Sequence, residues 1–85
     1  MNYEAHLRLQ SALNEHTGLR WFYERNDTIC TAGRTHELSR LHTSEMILRV
    51  GENTMRLGQY SGKAWWTRCA VEVARVLSET TGATP

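Results

Sequence analysis

Few residues in this sequence carry reactive chemistry, and none sits in a pattern of defined spacing. The histidines are His6, His16, His36 and His42, and the cysteines are Cys30 and Cys69. A closed zinc site needs ligands in tight pairs such as CxxC or HExxH, and neither spacing is present. Gly58-Gln59-Tyr60-Ser61-Gly62 sets a Ser between an expected strand and an expected helix, like a nucleophile elbow. An elbow needs Gly two residues before the Ser. Gln59 stands there, so Ser61 reads as a helix cap. Gly58 and Gly62-Lys63 hint at an anion loop but miss the spacing of a phosphate loop. No catalytic group, metal or cofactor is expected, and the chain reads as a non-enzyme.

Binding chemistry is better represented. Trp65 and Trp66 are adjacent in an expected helix, so they point about 100° apart and cannot share one narrow stripe. Trp65 groups with Cys69 and Val76, and Trp66 with Ala70, Val73 and Leu77. One Trp anchors the helix on the core. The other packs on the first helix or meets a partner, most simply a second copy in a homodimer, since Trp is enriched at interface hot spots. Arg49 and Arg56 form the second candidate surface, because the register favoured below sets them opposite one another, at a cost an acidic partner or anion would offset. Arg20-Trp21-Phe22-Tyr23 has the basic and aromatic flavour of a single-strand-binding sheet. The simpler reading is core aromatics alternating across a strand.

These side chains need elements to hold them. Residues 2–17 form a first helix, capped by Asn2 and stopped by Gly18, with Ala5, Leu9, Ala12, Leu13 and His16 on one face and a Glu4–Arg8 pair elsewhere. Residues 19–25 form a strand, Asn26-Asp27 a turn and residues 28–31 the return, with Tyr23 facing Cys30 and Glu24 facing Ile29. Phe22 falls on the face away from Trp21 and Tyr23. Residues 35–43 read either as a short helix capped by Thr35 or as an irregular connection. Residues 45–50 and 54–60 form a second hairpin. A turn at Glu52-Asn53 pairs Val50 with Met55 and Leu48 with Leu57, matching apolar with apolar, and Gly58 marks a bend or bulge. A last helix runs from Ser61 to Gly82, with Arg68–Glu72 and Arg75–Glu79 pairs on its polar face, and residues 83–85 fray.

Composition bounds the class. The chain has 85 residues, six Gly and one Pro, which suits one small globular domain rather than a disordered or fibrous chain. The formal net charge is +1, and both signs are spread along the chain, which argues against gripping nucleic acid by bulk charge. Lys63 is the only Lys, so the cations are nearly all Arg, suited to planar pairing with carboxylate or phosphate. The N-terminal residues lack the character of a signal peptide, no apolar run has the length of a membrane span, and both thiols read as buried and free; the expected location is the cytoplasm.

The expected fold is therefore a two-layer α+β sandwich. An antiparallel sheet of two hairpins carries the N- and C-terminal helices on one face, in the order α-β-β-β-β-α. The expected function is non-catalytic: a small regulator or inhibitor, a type common in phages and mobile elements, that docks on a protein partner through Trp65, Trp66, Arg49, Arg56 or Arg20. The alternative is a nucleic-acid binder using Arg20, Trp21, Arg49 and Arg56.

Overall fold

A computed structural model describes residues 2–82, the side chains of the last three excepted. The element order is α1 (Tyr3–Thr17), β1 (Trp21–Arg25), β2 (Thr28–Thr31), a short 3-10 turn (Ala32–Arg34), β3 (His36–Arg40), β4 (Glu45–Val50), β5 (Asn53–Gln59) and α2 (Trp65–Gly82). The strands form one antiparallel meander in sequence order. Both helices pack on one face of it, and the α+β sandwich is as expected. The expected fraying of residues 83–85 lies outside the described residues.

α1 starts and stops for local reasons. Asn2 accepts from Ala5 N at 2.7 Å, which satisfies one of the orphan donors of the first turn. Gly18 takes φ +74, a left-handed stop open to a residue without Cβ. The buried stripe is His6, Leu9 and Leu13, with Ala5 and Ala12 at its margin. His16, expected on that face, is exposed; His6 takes the buried place, three residues before Leu9.

The segment 35–43 is neither helix nor irregular connection for most of its length. Residues 36–40 are the central strand, with Leu38 paired to Ile29 on one side and to Leu48 on the other. Its polar sequence, His-Glu-Leu-Ser-Arg, has one strong apolar residue, so pairing on both sides makes this strand rather than intrinsic propensity.

Both hairpin registers differ from expectation. In the first, Phe22 faces Cys30 and Tyr23 faces Ile29, with an irregularity between Tyr23 and Arg25. In the second, the turn is Gly51-Glu52, not Glu52-Asn53. Gly51 has φ +62, as a two-residue hairpin with Gly first requires. Leu48 therefore meets Met55, Arg49 meets Thr54, and Ile47 meets Arg56. The register then shifts so that Met46 meets Gly58, which leaves Leu57 as the extra residue of a bulge, with Gly58 at φ +112. Glycine marked the bulge correctly, and Met55 and Leu57 both pack against the core.

The core joins α1 (Leu9, Leu13), the sheet (Trp21, Ile29, Leu38, Met46, Leu48) and α2 (Trp65, Cys69, Ala70, Val73, Val76, Leu77). Trp21 is fully buried and donates its Nε1–H to Thr17 Oγ1 at 2.9 Å, so its polar handle is satisfied. Cys30 and Cys69 are both free and buried. Burial pushes the Cys69 thiol up to about 12, so it packs as a small hydrophobe and not as a nucleophile.

α2 begins at Trp65, later than expected, and Ser61 is not its cap. Residues Gly62 and Ala64 both have positive φ and turn the chain sharply before the helix. Arg68 holds that turn: it donates to the Ser61 and Lys63 carbonyls at 2.6 Å each. It is thus taken from Glu72, and the expected Arg68–Glu72 pair does not form. Arg75 instead pairs with both Glu72 and Glu79.

Candidate partner-binding site

The two Trp side chains do different jobs. Trp65 is 6% exposed and belongs to the core. The Arg40 guanidinium lies over its ring, 4.2 Å from the centroid, and donates Nη2 to Tyr60 O and Ser44 Oγ. Trp66 is half-buried and packs on α1. Arg8 lies over it at 5.2 Å, and the two Trp rings meet edge to face. Arg8 lies beside Trp66, and His16 lines a cleft with Ala74 and Leu77, so the two helices run in the same sense.

Between the helices lies a groove of about 410 Å³, lined by Leu7, Arg8, Ser11, Ala12, Glu15 and Trp66, with Thr67 at its end. Leu7 is 40% exposed there, although it sits on the polar side of α1. The groove mixes apolar side chains (Leu7, Ala12 and Trp66) with hydroxyls, one cation and one anion. Arg8 is tied to Glu4 at 3.2 Å in an exposed pair. Glu15 has no ion-pair partner among the described residues. Sequence reasoning missed Leu7, Ser11 and Glu15 as site residues. The available signal was Leu7 itself, an aliphatic residue outside the apolar stripe of its helix.

The sheet face away from the helices is electrostatically closed. Arg34 pairs with Glu24, Arg49 with Glu37 at 3.1 Å, and Arg56 with Glu45 at 2.6 Å. Arg49 and Arg56 are not opposite one another, so the like-charge conflict expected from the sequence does not exist. Arg49 also donates to Gly51 O and Arg34 O, which makes it a staple between the β4–β5 turn and the β3 entry. The bidentate bond from Arg56 holds the Glu45 carboxyl below its ordinary range. Arg20 has no ion-pair partner among the described residues, and it lines an apolar cleft of about 300 Å³ with Leu19, Phe22 and His36. Phe22 is 44% exposed. Trp21, one of the residues of the nucleic-acid reading, is in the core.

No family model, curated protein or solved structure matches this chain.

Among the described residues no three His, Cys, Asp or Glu side chains gather as a metal-binding group. No described helix is long and apolar enough to cross a membrane. Of the sequence-derived candidates, Trp66 and Arg20 reach the surface without being consumed by internal pairs. Trp65 and Arg49 are committed to the fold, and Arg56 spends Nε and Nη2 on Glu45 while its side chain stays exposed.

His36 links this region to pH. Its Nδ1 lies 3.2 Å from Thr31 Oγ1 and 3.1 Å from Thr35 Oγ1. Burial first, and then the nearby Arg49 charge, push its pKa below the ordinary value of 6.5. Between that lowered pKa and about 6.5, the unfolded chain binds more protons than the folded one, so stability falls as pH falls through this window. Urea unfolding midpoints are expected to drop from pH 7.5 to pH 5.5, and His36→Gln is expected to flatten that drop. Equal pH dependence in the two proteins would refute the assignment.

Proposed function

We propose that this protein works without catalysis, as a small regulator or inhibitor that docks on a protein partner through the groove between α1 and α2. The observation that carries the reading is Trp66, half-buried between the helices under Arg8, with Leu7 exposed beside it. A half-covered Trp in a shallow groove offers a large apolar contact that costs the protein little ordering, as interface anchors do. The dimensions and the Arg8 and Glu15 charges suit an amphipathic helix of the partner, laid in the groove with an acid near Arg8 and a base near Glu15. The pairing of Arg34, Arg49 and Arg56 supports a protein partner over nucleic acid, because it withdraws three cations from a strand-binding face and leaves Arg20 beside the exposed Phe22 as a small remainder. A cytoplasmic setting is in keeping with two free thiols.

The test is affinity capture from the organism that encodes the protein, run side by side with Trp66→Ala, Leu7→Glu and the pair Arg49→Ala and Arg56→Ala. One partner retained by the wild type and the arginine variants, but lost by the first two, is the expected result. Capture indifferent to Trp66 and Leu7 would sink the groove. Binding to a mixed-sequence oligonucleotide that weakens steeply with salt would replace this reading with the nucleic-acid one.

A further inference from the structure

A sheet has two edges, and in this protein they are finished differently. At β1, Trp21 N donates to Asn14 Oδ1 at 2.6 Å, and Tyr23 stacks on His6 with ring centroids 3.9 Å apart. α1 thereby caps the start of that edge. The outer edge of β5 pairs with no strand among the described residues. Seven residues long, it carries one charge, Arg56, and its register with β4 is regular until the bulge at Leu57. An unpaired edge of this kind is a template for another strand.

The register fixes which groups are on offer. Val50 and Asn53 close the two-residue turn, and Gly51 N donates away from β5, to Thr35 O at 2.9 Å. Alternation along an antiparallel pair then turns the N–H and C=O of Asn53 and Met55 toward β4. Those of Thr54 and Arg56 point outward.

We infer that β5 pairs antiparallel with β5 of a second copy, centred on Thr54. In that register Thr54 meets Thr54 of the second copy, the outward groups of both strands face each other, and Glu52 stands opposite Arg56 of the second copy on either side. Two reciprocal ion pairs follow from one symmetric contact. The competing registers lack this. Centring on Arg56 sets like charges together, and centring on Met55 leaves Glu52 and Arg56 with no opposite charge. Arg56 spends Nε and Nη2 on Glu45, and its Nη1 makes no bond among the described residues. The result is a dimer with one continuous sheet. Because the bulge limits pairing to the stretch from Glu52 to Arg56, the interface is small and the association weak and concentration-dependent.

This dimer is independent of the helix groove, and its test separates the two. Sedimentation equilibrium over about 10 μM to 1 mM protein covers the affinity range of small interfaces. The wild type is expected to pass from monomer to dimer across that range. Thr54→Pro removes an outward N–H and no bond to β4, so it is expected to remain folded by circular dichroism and to stay monomeric. Glu52→Arg sits in an exposed turn and is expected to raise the dissociation constant about tenfold or more, by placing like charges opposite Arg56 of the second copy. A wild type that stays monomeric throughout would overturn the inference. So would a folded Thr54→Pro or Glu52→Arg protein with an unchanged dissociation constant, or a dimer abolished by Trp66→Ala alone.

Discussion

Trp65→Ala is expected to lower the stability of the protein by about 3–5 kcal/mol, while Trp66→Ala next to it loses far less stability but loses partner binding. Trp65 is 6% exposed and contacts the core from the first turn of α2. Truncating a buried Trp to Ala costs about 3–5 kcal/mol. A domain of this length has total stability of roughly 4–13 kcal/mol. The loss is sharpened by Arg40. Its Nε is buried with no hydrogen-bond partner, and without the Trp65 ring its guanidinium would lose the face it lies over. Trp66 is only half-buried, so its truncation is expected to cost about 1–2 kcal/mol. Chemical denaturation of both variants measures the contrast. Similar losses at both positions would mean that Trp66 is core, and the groove would lose its anchor.

Ser39→Pro is the second large effect. Ser39 lies in β3, between Thr28 of β2 and Ile47 of β4. Proline removes a backbone donor and fixes φ, and in an interior strand it breaks a ladder bond with no solvent to replace it, at a cost of about 3 kcal/mol or more. The variant is expected to express as an unfolded or aggregated chain, while Thr54→Pro at the sheet edge folds. A cooperative thermal transition for Ser39→Pro near the wild-type midpoint would contradict a central β3. That contrast tests the fold and the edge with the same residue type.

The elements legible in the sequence were those with local causes. The Asn2 cap and the Gly18 stop of α1 act within one turn of chain, so residue type alone announces them. The faces of α2 were legible too, because Trp66 shares its row with Ala70, Val73 and Leu77 at helical spacing. The elements that were not legible depend on partners distant in sequence. Nothing in His-Glu-Leu-Ser-Arg marks β3 as the middle of a sheet; its neighbours β2 and β4 do. The second hairpin shows how one local choice propagates. Matching apolar residues favoured a turn at Glu52-Asn53, but Gly51 is the residue that tolerates the positive φ, and the turn it makes sets Leu48 opposite Met55 instead of Leu57. With the register moved, Arg49 gained Glu37 and Arg56 gained Glu45, and a presumed binding patch became internal pairing. The groove itself was invisible because it lies between two helices at opposite ends of the sequence.

That last juxtaposition has a consequence for how the protein is made. α2 supplies six core residues and packs along α1, so the sheet keeps a half-covered apolar face until the last quarter of the chain has left the ribosome. α1 is already present beside Trp21, but Ile29, Leu38, Met46 and Leu48 would be synthesised before the α2 part of their cover arrives. The meander can zip strand by strand during this time, since each pairing is with its immediate neighbour. It cannot become a closed globule. The nascent chain thus passes through a stage with a half-covered hydrophobic sheet, the kind of surface that chaperones hold and that aggregates at high local concentration. Slow translation would lengthen that stage instead of easing folding.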